Sequence, residues 1–498
     1  MKKLFFSISI ILLSQIFSNQ FLNRFTNKID NRQLNTHNNL VRNETELLNF
    51  IESIVITNAI PGLSISVVEN ENIVWDKHFG YGNIENNILV NENTMYILSS
   101  ISKTITATAL MQLYEDNQFM LDDDIDDYLQ FNVNHPDFPF VPITFKMLLS
   151  HTSGIKDNWN VMPYYDGDSP LELEYYLNQY FVPGGNLYNE NLNFTNSIPG
   201  SNYNYSNIGA ALIGLLVEKI SNQPFNEYCN DNIFSPLEMN DSYWFLSEIE
   251  NLEQIALPYQ FNGGNGNNCF EIGCGIYDES NPCFCDYACI EYNDCCFDYE
   301  DVCGENGSGS NPDNLMPYTN YGYSDYPSGQ LRSSSNNLAK FMGAFINNGI
   351  FNNTRILDSE SVELIKTIHY PNINSNQGLI WYYKNSNGRT LFGHNGGDLG
   401  SLTEMFISFS ENLGVILLSN TSNYNALIQI EDAIFEFNED NDFINIGDVN
   451  LDSTINVQDV ILMINFILNG QYNLIADLNY DSIIDILDIV LIINLILD

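Results

Sequence analysis

Basic residues are scarce in this chain. Seventeen lysines and arginines stand against 63 aspartates and glutamates over 498 residues, a formal charge of −46, and so acidic a surface repels phosphate backbones and anionic membrane surfaces alike. That excludes nucleic acid as a partner. By itself the excess acid reads as a solvated surface; cation binding needs specific spacing before it can be argued. Long apolar runs are missing too. Beyond the first 19 residues no segment sustains the roughly 20 apolar residues of a bilayer crossing, so the mature chain is expected to hold no membrane span. Cysteine is nearly absent over most of the length: Cys229 stands alone, and the other eight crowd between Cys269 and Cys303.

The chain begins MKKLFFSISIILLSQIFSNQ, with two lysines, a short apolar stretch and then small and polar residues. Residues 1–19 read as a secretory signal peptide, with an uncleaved anchor as the competing reading. A secreted, extracellular or cell-surface protein is expected. Residues 20–45 are Asn-rich and polar and read as a leader.

Two alternating β-branched runs around ENEN, in PGLSISVVENENIVWDKHFGYGN, predict an antiparallel hairpin, and LTEMFISFSENLGVILLSN predicts a second near residue 420. Between them ITATALMQLYED and GAALIGLLVEKI repeat apolar residues at three and four, the helical period. Strands at both ends with helices between predict one α+β domain over residues 46–437, an antiparallel sheet flanked by helices plus a helical region. The cysteine block interrupts this domain. Its Gly/Asn/Ser flanks mark residues 266–310 as an insertion, and an acidic linker at 438–445 leads into a tail at 446–498.

Two positions read Ser-x-x-Lys, Ser100 with Lys103 and Ser153 with Lys156. Lys103 opens a helix-compatible run, where residues three apart share a face and an ammonium sits beside a hydroxyl. Lys156 follows Gly154 in a turn-like stretch, so Ser100 is the candidate nucleophile. A serine hydroxyl needs a base to take its proton, and a lysine serves only when burial or another cation lowers its pKa. A helix start also points backbone N–H groups at a developing oxyanion.

SSISKT, LLSHTSGI, YNYSNIGAALIGLLVE, SGQLRSSSNNLAKF and FGHNGGDLGS occur in the order found in the penicillin-binding serine hydrolases, which include the class C β-lactamases, D-aminopeptidases and related esterases. The chain resembles that family over roughly residues 46–435, outside the cysteine block. The resemblance implies that Tyr205 acts with Lys103 in proton transfer, that Asn207 positions substrate, and that His394 and Gly396 belong to a strand lining the site. It also implies an oxyanion hole from the Ser100 and Gly397 amides. Many members carry Lys-Thr-Gly where this chain has His394-Asn395-Gly396. A largely neutral imidazole holds a substrate carboxylate less firmly than an ammonium does, so a peptidase or esterase is expected ahead of a β-lactamase. His78-Phe79-Gly80 and His151 read as structural, and Cys229 as a small packed residue. The stretch from Asn158 to Phe194 reads equally as a lid or a surface loop.

Eight cysteines permit roughly a hundred pairings. The block CFEIGCGIYDESNPCFCDYACIEYNDCCFDYEDVC resembles a somatomedin B domain, which implies Cys269 with Cys285, Cys274 with Cys303, Cys283 with Cys296, and Cys289 with Cys295. So short a segment cannot bury enough apolar surface to fold unaided. A zinc site competes with the disulfide reading, and protein binding and simple stabilisation stay open as its role.

GDVNLDSTINVQDVILMINFIL recurs 29 residues later as ADLNYDSIIDILDIVLIINLIL. Oxygen side chains fall at loop positions 1, 3, 5, 9 and 12: Asp448, Asn450, Asp452, Asn456 and Asp459, then Asp477, Asn479, Asp481, Asp485 and Asp488. That is calcium-loop spacing, with the Thr454 and Ile483 carbonyls at position 7. Two structural Ca2+ sites are expected, and no cofactor for catalysis. The tail resembles a type I dockerin, which implies a cohesin partner, although Ser453 and Ser482 replace the usual glycine at position 6. The whole reads as a scaffold-tethered hydrolase acting on a small-molecule or peptide substrate. The rival reading is a non-catalytic adhesion or scaffolding protein with a pseudo-hydrolase domain.

Overall fold

The computed structural model describes residues 44–261, 269, 296, 302–303, 314–440, 447, 449–450, 455–469, 471–478 and 483–497. Helix α1 (Glu44–Thr57) comes first and buries Leu47, Ile51, Ile54 and Val55. Strands β1 (Gly62–Glu69), β2 (Asn72–Asn83) and β3 (Ile88–Leu89) follow, then helices α2 (Ser102–Glu115), α3 (Asn207–Ser221) and α4 (Ser335–Ile346). Strands β4 (Tyr382–Ser386), β5 (Arg389–Asp398), β6 (Ser401–Ser408) and β7 (Leu413–Ser419) lead into α5 (Tyr424–Asp440).

The seven strands form one antiparallel sheet in the order β4-β5-β6-β7-β1-β2-β3. Both expected hairpins are present, and the first turns on Asn70 in the left-handed region (φ 56°). All of β7 and all of β1 except Glu69 are buried. Neighbouring side chains in a strand point to opposite faces, so the sheet is covered on both sides and requires apolar runs there rather than alternation. This is the mixed α+β architecture the sequence predicts.

Helix α2 is buried through most of its length although it reads SKTITATALMQLYE. Its threonine hydroxyls are all satisfied: Thr104 and Thr108 donate within the helix turn to the Ile101 and Thr104 carbonyls, and Thr106 donates to the distant Pro327 carbonyl. The Ser206 hydroxyl caps α3 by accepting from the Gly209 N–H. The 158–194 stretch contains a helix, Leu173–Phe181, whose Leu173, Tyr176, Leu177, Tyr180 and Phe181 join the core. Much of that stretch is therefore packed framework.

Two boundaries differ from expectation. Helix α1 opens at Glu44, two residues before 46, and packs its apolar stripe against α5. At the other end α5 runs to Asp440, into the stretch read as linker, because the helical apolar spacing continues through Ile434 and Phe437, both buried.

Tyr259–Phe261 pairs antiparallel with Leu315–Pro317, so the chain departs and returns side by side around the cysteine block. Cys269, Cys296 and Cys303 are disulfide-bonded; Cys274, Cys283, Cys285, Cys289 and Cys295 lie outside the described residues. Cys229 is free and buried. Among the described residues no helix is long and apolar enough to cross a membrane.

Candidate active site

Ser100 lies in a 3-10 turn, Ser99–Ile101, that runs straight into α2. Ser99 adopts a positive φ of 50°, a costly conformation for a residue with a β-carbon and one that the surroundings must hold. They do so from β6: Ser401 and Thr403 hydroxyls donate to the Ile97 and Leu98 carbonyls, each at 2.9 Å. Strand β5 comes so close to the turn that a β-carbon on Gly396 would stand 2.5 Å from the Leu98 oxygen and 2.9 Å from the Ser99 β-carbon. Glycine is required there for contact.

Lys103 is fully buried. Its Nζ donates to Ser100 Oγ at 3.1 Å and to the Ser328 carbonyl at 2.6 Å, and it stands 5.0 Å over the Tyr205 ring. Burial pulls its pKa down to about 8 against the opposing pull of Asp157, Asp325 and Asp398. A lysine so placed holds a useful fraction of free amine near neutral pH. Asp325 accepts from the Ser328 hydroxyl, and burial raises its carboxyl to about 6.

Tyr205 hydrogen-bonds Ser100 through its hydroxyl. The residue as a whole is 36 % exposed, yet the hydroxyl is withdrawn from water, and that desolvation raises the phenol above its ordinary range. It therefore stays protonated and can pass a proton on. His151 packs against it at 4.5 Å between ring centroids. The His151 Nδ1 accepts from the Ser206 N–H at 3.4 Å and its carbonyl from the Asn204 N–H at 2.7 Å, a structural role. His78 is bonded to Ser64 and Asp76 within the sheet, and Lys156 lies outside any helix, as expected.

The Asn207 side-chain amide donates to Asp157 at 2.9 Å, and Asp157 also accepts from the Ser206 hydroxyl and from the Asn207 and Ile208 N–H groups. The carboxylate meets the N-terminus of α3, where four donors converge on it. Asn207 thus fixes the turn that carries Tyr205.

The cleft, about 560 Å³, is lined by Ser100, Tyr203, Tyr205, His394 and Gly397, and on the far wall by Tyr382, Lys384 and Asn395 among others. His394 is buried, and its Nδ1–H donates to the Asn395 carbonyl at 2.5 Å. Burial, with Lys103 nearby, depresses the imidazole to about 3, so it is neutral. Asn395 accepts from the Tyr382 hydroxyl at 2.9 Å. Asp157, Asp325, Tyr382 and Lys384 are not legible from sequence as site residues: Asp157 meets the α3 turn some fifty positions away, and Lys384 meets Glu431 across 47.

In the tail, helices α6 (Val457–Asn469) and α7 (Ile486–Leu497) follow the two loops. Asp459 and Asp488 are fully buried. Each closes its own loop through both carboxylate oxygens: Asp459 accepts from the Asn450 and Asn456 N–H groups, Asp488 from those of Leu478 and Asp485. Asp477 accepts from the Tyr472 hydroxyl. Asp448, Asp452, Thr454, Asn479 and Asp481 lie outside the described residues, while Ile483 is described and exposed. Among the described residues no three His, Cys, Asp or Glu side chains form a metal cluster. The side chains that the loop spacing selects are all oxygen donors.

The Beta-lactamase family profile matches residues 41–435. The chain belongs to the beta-lactamase family. The match spans Ser100, Lys103, Tyr205 and His394 and stops short of the tail. Among curated relatives of this family, Protein flp of Staphylococcus aureus (strain MRSA252) is 26% identical over 207 residues, 41% of this chain and 38% of flp. Penicillin-binding protein 4* of Bacillus subtilis (strain 168) is 26% identical over 208 residues, 40% of this chain and 42% of that protein. The chain thus spans about two fifths of the length of the curated relatives it matches. Among solved structures, the octameric penicillin-binding protein homologue from Pyrococcus abyssi superposes with a TM-score of 0.54 at 24% identity, covering 78% of this chain and 76% of that one. D-amino acid amidase from Ochrobactrum anthropi SV3 gives 0.57 at 18% identity, covering 79% and 98%. At these identities the likeness is one of beta-lactamase fold.

Proposed function

We propose that this chain is a secreted serine hydrolase that opens an amide or ester carbonyl through an acyl-Ser100 intermediate. The observation that carries the reading is the buried Lys103 amine 3.1 Å from Ser100 Oγ, with its pKa drawn down to about 8. Neutral Lys103 takes the Ser100 proton as Oγ attacks the carbonyl carbon. The Tyr205 phenol gives its proton to the leaving amine or alkoxide and is reprotonated from Lys103. Water then attacks the acyl-serine by the reverse path and releases the acid. The Ser100 and Gly397 amides receive the oxyanion, and His394 borders the bound substrate. D-amino-acid peptides, carboxylic esters and β-lactams are the candidate substrates, with peptidase or esterase action ahead of β-lactam hydrolysis.

Residues 1–19 direct export in this reading. Residues 266–310 are a somatomedin B-like insertion, a placement supported by the paired strands on either side of it, and its bridges join Cys269 to Cys285, Cys274 to Cys303, Cys283 to Cys296, and Cys289 to Cys295. The tail is dockerin-like. Asp448, Asn450, Asp452, Asn456 and Asp459 with the Thr454 carbonyl would hold one Ca2+, and Asp477, Asn479, Asp481, Asp485 and Asp488 with the Ile483 carbonyl the other. The cation would order the loops and present α6 and α7 to a cohesin-like partner. Turnover of D-amino-acid anilides, aryl esters and β-lactams by wild type and Ser100→Ala tests the reading: the variant is expected to lose all turnover while its tail still binds calcium, and undiminished activity contradicts it.

A further inference from the structure

Lys384 is the only cation among the described residues that line the cleft. Its ammonium is already occupied. It lies 3.1 Å from Glu404 Oε2 and 2.7 Å from Glu431 Oε2, and the two glutamates are 1 % and 0 % exposed. Two buried carboxylates on one lysine leave no cationic charge over, whichever of them holds a proton; burial and the neighbouring Glu431 raise the Glu404 carboxyl, against Lys384. Swinging the lysine into the cleft would strand buried carboxylates. Glu404 also hydrogen-bonds Asn395, which sits opposite it in the β5–β6 pairing and accepts from Tyr382, so the cluster is built into the wall.

Of the other described polar groups at the cleft only Lys103, buried beneath the lining, carries positive charge. His394 donates through Nδ1 to the Asn395 carbonyl, and its Nε2 has no partner. Lys103 is buried at the floor against Ser100 and the Ser328 carbonyl, within the field of Asp157, Asp325 and Asp398. The remaining lining is phenol and carboxamide: Tyr203, Tyr382, Asn376 and Asn385 among others.

We propose that the cleft selects substrates whose acyl portion is uncharged or cationic and discriminates against those bearing a carboxylate there, because Lys384, the one cation lining it among the described residues, is held by Glu404 and Glu431. The selection rests on the acyl-Ser100 reading. A carboxylate entering the cleft gives up water and meets Lys384 already neutralised by two glutamates, with Lys103 buried beneath the lining on Ser100 and the Ser328 carbonyl, whereas an ammonium or a neutral amide meets acceptors and a negative field.

The test uses three probes of one shape on the full chain: phenylboronic acid, 3-carboxyphenylboronic acid and 3-(aminomethyl)phenylboronic acid. In each, boron accepts the Ser100 oxygen lone pair, the hydroxyl proton passes to Lys103, and nothing leaves. Apparent Kd is read by protection against a serine-reactive phosphonate. The carboxylate probe is expected to bind at least about tenfold more weakly than the neutral one, and the ammonium probe at least as well as the neutral one. Equal or tighter binding of the carboxylate probe overturns the selectivity and leaves the hydrolase intact; no Ser100-dependent binding of any probe overturns the hydrolase reading itself. Glu404→Gln with Glu431→Gln frees Lys384 and is expected to narrow the gap about tenfold. Should that variant not fold, Lys384→Met is read instead: a selective loss of the carboxylate probe would identify Lys384 as its receptor and refute the proposal.

Discussion

Lys103 Nζ and Ser100 Oγ stand 3.1 Å apart at the start of a buried helix, and among the described residues no carboxylate lies within ion-pair distance of the lysine. Its depressed pKa sets the expected pH dependence. Acylation requires the free amine, so the rate constant should rise with pH to a plateau through an apparent pKa near 8. A stopped-flow acylation profile checks this, and a rate flat from pH 6 to 9 contradicts it.

The same burial destabilises the fold. The folded-state pKa of Lys103 is below its unfolded value, so between about 8 and 10.5 the unfolded chain binds more protons and stability rises with pH across that window. Lys103→Met should abolish activity and raise stability by about 1–3 kcal/mol, read as Tm at pH 7. A lowered Tm would mean that the lysine's two hydrogen bonds outweigh its desolvation.

Tyr205→Phe removes the phenolic proton and keeps the ring between His151 and Lys103. Loss of about 10²–10⁴ in kcat with an unchanged far-UV spectrum is expected.

Asp157 bears on both the turn that carries Tyr205 and the charge on Lys103. Asp157→Asn removes a negative charge that raises the Lys103 pKa, so the acid limb of kcat/KM should move to lower pH as the rate falls. A loss of rate with the limb unmoved would reduce Asp157 to a purely structural group.

Gly396→Ala places a β-carbon within 2.5 Å of a backbone oxygen of the serine turn. It should cost about 1–3 kcal/mol of stability and disable Ser100, with Gly388→Ala as a control for backbone strain alone: that turn glycine has a φ of 83° and open space about it.

What could be read from sequence was local or periodic. Ser100 and Lys103 are three residues apart on a helix, so their contact was legible, and both hairpins showed in strand alternation. The partners of those residues were not. Asp157 reaches Asn207 across fifty positions, and Lys103 meets the Ser328 carbonyl across 225. Asn207 shows what a motif carries: its place before an apolar helix was legible, while Asp157, which accepts from its amide, has no pattern linking it to the turn. Helix α1 was overlooked because its short apolar stripe adjoins a polar leader and gains its partner, α5, only from the far end of the domain.

The central claim is that Ser100 is a nucleophile activated by Lys103. Intact-protein mass after brief exposure to a serine-reactive phosphonate tests it most directly, with Ser100→Ala alongside. The account predicts a single adduct on the wild type and none on the variant; no adduct on folded wild type, or an equal adduct on both, would contradict it.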